Sequence, residues 1–239
     1  MVMTAPSATL QSLLAPPAYG AVRLIIGKAM HWRYKIFLKR RHDRAVLENV
    51  SGMPLLVTPG VLNPRLMRTG AFFASQLTRA VLPADADVLD MGTGSGVCAL
   101  AAARHARRVV ASDIDESAVR CARINMLLNE ADAKVHVLQG DLFEPLGDRR
   151  FDVVLFNPPF VRGIPRNNAD RAWRSPDMAE RFAAGLRAHL RPSGYALVLL
   201  STYGDPRTFI EEFRRHAFEI SVVSERSYIN EKLAILKLV

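Results

Sequence analysis

Cysteine is scarce in this sequence, and its two cysteines lie far apart. Cys98 and Cys121 form no CxxC pair, and two cysteines at this spacing provide no disulfide framework. The six histidines do not cluster with the cysteines, so no structural metal is expected. This cysteine usage is typical of a reducing compartment, and we expect a cytoplasmic location.

Long hydrophobic runs are also missing. The first twenty residues contain no basic segment ahead of an apolar one, which argues against a signal peptide. The apolar run at residues 24–26 is interrupted by Arg23 and Lys28 and is far shorter than a membrane span. With 49% hydrophobic and 23% charged residues, the composition is that of a globular protein without a transmembrane segment.

Acidic residues are outnumbered by basic ones, 23 against 32, which gives a net charge of +9. This balance favours an anionic partner, either a nucleic acid or an acidic protein or ribonucleoprotein surface. Residues 21–49 carry much of the positive charge in a pattern that predicts a basic helix. Such a helix could contact phosphates or an anionic surface, or it could pack its apolar side on the main domain.

We therefore divide the chain into two parts: residues 1–52, an N-terminal tail with a basic helical extension, and residues 53–239, the main domain. Pro-Gly at 59–60 predicts a hairpin or an extended arm over residues 53–70, followed by a helix over 71–81. The rest of the main domain alternates between strands and helices. The predicted strands are 87–91, 108–112, 134–138, 151–156 and 195–201, and the predicted helices are 96–105, 116–130 and 176–190.

This alternation predicts an α/β fold with a parallel sheet and helices on both faces. The end of the chain is different, because a helix over 207–216 is followed by two predicted strands, 219–225 and 232–239. Two strands so close in sequence form a hairpin, so one of them must run antiparallel to the rest of the sheet.

The stretch VLDMGTGSGV at residues 88–97 is a strand that ends in a glycine turn and leads into a helix. Such a turn brings a ligand close to the backbone at a helix N-terminus. Its glycines, Gly92, Gly94 and Gly96, depart from the dinucleotide pattern GxGxxG, because the third comes one position early. No GKS or GKT follows, which excludes a P-loop.

Three aspartates lie at the ends of three successive predicted strands: Asp90, Asp113 and Asp141. Asp90 could accept from the ammonium group of an amino acid, and Asp113 could accept from ribose hydroxyls. Asp141 is placed to accept from the amino group of an adenine. A ligand with an amino acid, a ribose and an adenine but no phosphate fits this set, and S-adenosylmethionine is such a ligand.

The strand at 151–156 runs directly into Asn157-Pro158-Pro159-Phe160, where the prolines can neither donate to a sheet nor continue a helix. Asn157 offers a side-chain carbonyl, and Pro158 offers a main-chain carbonyl that Pro159 helps to fix. Two such acceptors could hold both N–H bonds of an amide or an aromatic amine and direct the nitrogen lone pair at a methyl donor. Phe160 could lie against the planar acceptor.

Through DMGTGSG, ASDID, GDLFEP and NPPF, residues 55–239 resemble the class I S-adenosylmethionine-dependent methyltransferases. Within them, the sequence is similar to release-factor glutamine methyltransferases and to relatives that methylate amino groups of adenine or guanine. The segment VLNPRLMRTG also resembles the "PR…T" segment of the glutamine enzymes. The resemblance implies a Rossmann-like sheet of seven mostly parallel strands, the last of them antiparallel.

The resemblance and the motifs together define an expected site. The expected cofactor-binding residues are Asp90, Gly92, Thr93, Gly94, Gly96, Asp113, Ile114, Asp141, Leu142 and Asn157. The expected catalytic residues are Asn157, Pro158 and Phe160. No metal is expected among the ligands.

The expected function is N-methylation of a planar amide or amino nitrogen with S-adenosylmethionine, and a protein glutamine side chain in a release-factor-like substrate is favoured. The alternatives are an exocyclic amino group of adenine or guanine in RNA or DNA, a small-molecule acceptor, and a non-catalytic nucleic-acid-binding scaffold. The loop VRGIPRNNADRAWR at 161–174 contains four arginines and a tryptophan. It is interpreted either as a substrate lid or as a solvated insertion.

Overall fold

The computed structural model describes residues 10, 11, 13, 44–229 and 231–239, without the side chains of residues 168 and 169. Most of the predicted basic helix, residues 21–43, lies outside the described residues. Its predicted end is wrong, because Val46–Val50 forms strand β1, which pairs antiparallel with β2 at Met53–Val57. Ser51 and Gly52 form the connecting turn with φ values of 52° and 77°, a left-handed pair that suits a two-residue hairpin. This hairpin spans the predicted domain boundary between residues 52 and 53.

Two short helices follow the hairpin, where the sequence predicted a hairpin or an extended arm. Helix α1 is Pro64–Met67 and helix α2 is Thr69–Gln76. The Asn63 side chain caps α1 by accepting from the N–H groups of Arg65 and Leu66. An N-cap Asn followed by Pro is a start signal for a helix, so the sequence did carry the evidence for α1.

The predicted helix 71–81 is too long at its end, since α2 stops at Gln76. Beyond it, turn hydrogen bonds run from the N–H groups of Val81 and Leu82 to the Thr78 carbonyl. The Tyr195 hydroxyl donates to the Val81 carbonyl, and Leu82 is fully buried. Tertiary contacts therefore draw this segment away from a helical path.

The main sheet has seven strands in the order β10-β11-β9-β6-β3-β4-β5. Its strands are β3 Asp87–Met91, β4 Arg108–Asp113, β5 Val135–Gln139, β6 Phe151–Phe156, β9 Leu190–Ser201, β10 Ile220–Ser227 and β11 Lys232–Leu238. Within this sheet, β11 is antiparallel to both of its neighbours, and the pairs β3–β4, β3–β6, β4–β5 and β6–β9 are parallel. The predicted mostly parallel sheet with an antiparallel last strand is confirmed.

The remaining elements are helices and two short strands. They are α3 Val97–Ala103, α4 Glu116–Leu128, a 3₁₀ turn Glu144–Leu146, β7 Val161–Arg162, α5 Asn168–Arg171, β8 Arg174–Ser175, α6 Met178–His189 and α7 Pro206–Arg215. Among the residues described, no helix is both long and apolar enough to cross a membrane.

Side chains on the two faces of the sheet build two hydrophobic clusters. In β6, Val153 and Leu155 point into the cluster that contains α3, whereas Val154 and Phe156 point into the cluster that contains α6. This alternation follows from the two-residue period of a strand. Because both faces are covered, the free space for a ligand lies at the carboxyl edge of the parallel strands.

Candidate active site

A cavity of about 180 Å³ lies at the carboxyl edge of β3, β4, β5 and β6. It is lined by the glycine turn, by the residues that follow β4 and β5, and by the Asn-Pro-Pro-Phe segment. Ten of the expected site residues meet there: Gly92, Thr93, Gly94, Asp113, Ile114, Asp141, Leu142, Asn157, Pro158 and Phe160. Asp90 and Gly96 are not among the described residues that line the cavity, and their expected contact with a cofactor stays a prediction.

The cavity has a further wall that was not among the expected site residues. Residues of the α1–α2 segment, including Pro64, Met67 and Thr69, line it. The segment is held by Glu48 of β1, whose buried carboxylate accepts from the Asn63 side-chain amide at 2.9 Å. The sequence feature that could have predicted this wall is the resemblance of the stretch to a "PR…T" segment.

The glycine turn is left-handed at each of its three glycines. The φ values are 66° at Gly92, 55° at Gly94 and 82° at Gly96, a region that side-chain-bearing residues rarely adopt. A Cβ at Gly94 would meet no described atom within 4 Å, which leaves open space beside the backbone. The Thr93 N–H donates to the Ser112 carbonyl at 3.0 Å and so holds the turn against β4.

Glycine is needed at position 96 for a second reason, which is close packing. A Cβ there would lie 2.6 Å from Cε of Met126 and 3.3 Å from Cα of Ala122. Helix α4 therefore packs directly against the backbone of the turn at this point. The third glycine serves close packing, which explains why it does not line the cavity.

Asp90 lies behind the turn and is only 3% exposed. Its Oδ2 accepts from the Thr93 hydroxyl at 2.6 Å and from the Ala99 N–H at 2.9 Å. Burial raises the pKa of this carboxyl to about 7, although the two hydrogen bonds act in the opposite direction. Asp90 thus joins the glycine turn to the start of α3.

Asp113 lies at the cavity wall and is held by two backbone donors. Its Oδ2 accepts from the Gly94 N–H at 2.9 Å, and its Oδ1 accepts from the Asp115 N–H at 3.0 Å. Burial raises the pKa of Asp113, while the hydrogen bonds from Asp115 and Gly94 lower it. Each carboxylate oxygen has a second lone pair, so the group can still accept from ligand hydroxyls.

Asp141 lines the cavity beyond the end of β5 and pairs with a cation. Arg181 of α6 donates to its Oδ2 at 2.7 Å. Leu142, the next residue, adopts a φ of 49°, which turns the chain sharply at this corner. The carboxylate is therefore placed by α6 as well as by the sheet.

Asn157 carries the most distinctive polar atom of the site. Its Oδ1 is buried and has no hydrogen-bond partner among the described residues, although the residue lines the cavity. A buried acceptor without a donor costs about 1–3 kcal/mol, so such atoms in native structures call for an explanation. A ligand N–H in the cavity would supply the missing donor.

Phe160 has two roles in the packing. It lines the cavity, yet it is only 7% exposed and belongs to the hydrophobic cluster that contains α3. Its carbonyl accepts from the Asp205 N–H at 2.9 Å. The position of the Asn-Pro-Pro-Phe segment is therefore tied to the core at its last residue.

The loop at 161–175 is more ordered than its composition indicated. Strands β7 and β8 pair, and the Val161 N–H donates to the Trp173 carbonyl at 2.9 Å. Arg171 and Trp173 line the cavity, which favours a lid over a solvated insertion. Arg162 pairs with Glu180 at 2.7 Å and Arg174 pairs with Asp170 at 3.3 Å, so part of the positive charge of this loop is neutralised internally.

The known proteins that this chain is similar to are methyltransferases. The family described as "Methyltransferase small domain" matches residues 55–222. The chain is 31% identical over 180 residues to a release factor glutamine methyltransferase of Geobacter sulfurreducens, covering 70% of this chain and 62% of that protein. It is 34% identical over 139 residues to a ribosomal protein uL3 glutamine methyltransferase of Bradyrhizobium diazoefficiens, covering 52% of this chain and 43% of that protein.

Among solved structures, the tRNA m1G37 methyltransferase of M. jannaschii superposes with a TM-score of 0.59 at 19% identity, covering 82% of this chain and 54% of that one. At this identity the likeness concerns the fold. The fold, the glycine turn at its sheet edge and the family match together identify a methyltransferase domain. By the match over residues 55–222, the chain belongs to the methyltransferase small domain family. It spans less than two thirds of the length of each of the two relatives described above.

Proposed function

We propose that this protein transfers a methyl group from S-adenosylmethionine to the amide nitrogen of a glutamine side chain in a protein. The observation that carries the proposal is the buried, unpartnered Oδ1 of Asn157 in the cavity wall. The names of the two relatives, both glutamine methyltransferases, favour glutamine as the acceptor.

The residues around the glycine turn fit the cofactor. The open space beside Gly94 lets a ligand approach the backbone closely, and Asp113 has lone pairs left for the ribose hydroxyls. Asp141 and Leu142, together with Ile114, form the wall where the adenine would lie. When bound, the cofactor supplies a methyl group that is already activated by the positive charge on sulfur.

The chain itself contributes orientation of the acceptor. An amide nitrogen is a poor nucleophile because its lone pair is delocalised into the carbonyl group. The Oδ1 of Asn157 and the carbonyl of Pro158 can accept from its two N–H groups, which turns the nitrogen toward the methyl group. Because Pro158 and Pro159 have fixed φ angles, this arrangement costs little entropy on binding.

Proton release needs no strong base in this arrangement. The Asn157 amide cannot act as a base, so the acceptor nitrogen keeps its proton until the methyl group has been transferred and then loses it to water. Trp173 and Arg171 of the lid line the same cavity and limit the access of water during the transfer.

An exocyclic amino group of a nucleobase is the second candidate, because it too is an NH₂ group on an sp² carbon. The net charge of +9 favours a nucleic acid. The ion pairs of Arg162 and Arg174 with acidic partners reduce the charge that the lid could offer to phosphates. Glutamine is therefore the favoured methyl acceptor.

The decisive experiment supplies isotopically labelled S-adenosylmethionine together with cell-extract protein, total RNA or DNA in separate reactions. Label in protein is expected, with methylglutamine identified by mass spectrometry of the digested peptides. Asn157→Ala protein, run in parallel, should transfer far less label. Label in RNA or DNA with none in protein would overturn the choice of glutamine, and no label in any reaction would overturn the proposed activity.

A further inference from the structure

The turn between β9 and α7, residues 202–205, lies directly against Phe160. A Cβ on Gly204 would be 2.1 Å from the carbonyl oxygen of Phe160 and 2.4 Å from its Cβ. Gly204 is not among the residues with a positive φ, so its backbone conformation would tolerate alanine. Glycine is required here because the two main chains approach so closely.

The same turn also binds the Phe160 carbonyl. The Asp205 N–H donates to it at 2.9 Å, and the Asp205 side chain caps α7 by accepting from the Thr208 N–H at 3.2 Å and from its hydroxyl at 2.6 Å. The end of the Asn-Pro-Pro-Phe segment is thereby attached to the first turn of a helix that is packed in the core.

The other side of the turn is fixed by the C-terminal hairpin. Ser201 donates to Glu231 Oε1 at 2.5 Å and accepts from the Tyr203 N–H at 2.9 Å. The Thr202 N–H donates to the Lys232 carbonyl at 3.0 Å, and its hydroxyl accepts from the Lys232 N–H at 2.9 Å. The turn is therefore held between β11, α7 and Phe160.

We infer that Gly204 is a positioning residue for methyl transfer, acting through the close contact of its backbone with Phe160. Only Pro158 and Pro159 separate Phe160 from Asn157, and their rings fix φ at both positions. A displacement of Phe160 therefore moves the Pro158 carbonyl and the Asn157 side chain. This role rests on the proposed function, since it concerns the two groups assigned there to the acceptor.

Gly204→Ala tests the inference, with Gly194→Ala as a matched control. A Cβ at Gly194 would lie 2.7 Å from the Phe151 carbonyl oxygen and 3.0 Å from the Arg191 nitrogen, in β9 but near the opposite edge of the sheet. Both changes thus force a methyl group against a main chain, but only one does so beside the Asn-Pro-Pro-Phe segment. The kcat of Gly204→Ala should fall by about 100-fold, with its affinity for S-adenosylhomocysteine unchanged. Gly194→Ala should keep its kcat.

A second readout does not depend on activity. The ¹⁵N-labelled side-chain amide resonance of Asn157 should shift in Gly204→Ala and stay in place in Gly194→Ala. A wild-type kcat and an unshifted resonance in Gly204→Ala would overturn the inference, as would an equal loss of kcat in both variants. If the wild-type protein transfers no methyl group to glutamine, it is the proposed function that fails, and the resonance alone decides the positioning role.

Should Gly204→Ala not fold, Ser201→Ala decides instead. It removes the hydrogen bonds to Glu231 and to the Tyr203 N–H without adding an atom. We expect a smaller fall in kcat, about fivefold, with an unchanged affinity for S-adenosylhomocysteine. A wild-type kcat in Ser201→Ala would then overturn the inference.

Discussion

The backbone N–H of Gly94 donates to the carboxylate of Asp113 across 2.9 Å. This hydrogen bond joins the glycine turn after β3 to the end of β4, at the place where both line the cavity. One carboxylate therefore fixes the shape of the turn and presents free lone pairs to the same cavity. Loss of this side chain should disturb both functions together.

Replacing Asp113 with alanine should weaken the binding of S-adenosylhomocysteine by about 1.5–3 kcal/mol, since hydrogen bonds to a charged acceptor are lost. This corresponds to about one to two decades in Kd, measured by isothermal titration calorimetry. Asp152→Ala is a suitable control, because Asp152 pairs with Arg191 away from the cavity. Unchanged affinity in a folded Asp113→Ala protein would remove Asp113 from the cofactor site.

Gly94→Ala and Gly96→Ala should separate the two roles of glycine in the turn. At Gly94 the space beside the backbone is open, so alanine should lower the free energy of unfolding only through backbone strain, by about 1–2 kcal/mol. At Gly96 the same strain is joined by a clash with Met126 and Ala122, and overpacking adds about 1–3 kcal/mol. Urea denaturation should therefore show the lower free energy of unfolding for Gly96→Ala. Equal values for the two variants would contradict the packing role of Gly96.

Asp90→Asn should change the pH dependence of stability. Burial raises the pKa of Asp90 from 3.8 to about 7 in the folded protein, so the folded state holds this proton more tightly than the unfolded state. Stability from this group is therefore lost as the pH rises from about 4 to about 7. Asparagine keeps an acceptor for Thr93 and Ala99 but does not ionise.

The measurement is the free energy of unfolding of both proteins between pH 4 and pH 8. The free energy of unfolding of Asp90→Asn should rise relative to that of the wild type by up to about 1.4 kcal/mol per pH unit until pH 7. Above pH 7 the difference should level off. Taking the difference removes the contributions of groups that do not interact with Asp90. A difference that stays constant with pH would show that Asp90 ionises normally.

Asn157→Ala should affect the chemical step far more than cofactor binding. The variant loses the side-chain acceptor and leaves the prolines and the glycine turn in place, so single-turnover transfer should slow by about two decades or more. Asn157→Asp keeps an acceptor and adds a charge, and it should retain part of the activity with a modest change in cofactor affinity. Methyl transfer by Asn157→Ala at the wild-type rate would refute the orienting role.

The sequence predicted the central strands best. Both β3 and β6 begin and end at the predicted residues, because a strand that is buried on both faces gives a mostly apolar run between turn residues. Strand β1 was missed, since its polar residues continued a basic pattern that suited a helix. What makes it a strand is its pairing with β2 and the burial of Glu48 against Asn63.

The sequence alone was enough to predict which polar residues lie together at the candidate site. Alternation of strands and helices predicts a parallel sheet, and parallel strands bring their carboxyl ends to one edge, so Asp113, Asp141 and Asn157 were expected to lie there. The tertiary structure decided which of the neighbouring residues face the cavity. Asp90 precedes the glycine turn and Gly96 ends it, and these two residues contact Thr93, Ala99 and helix α4. The direction of a side chain at a turn depends on what packs behind it, and at Gly96 the packing residue, Met126, lies thirty positions away in sequence.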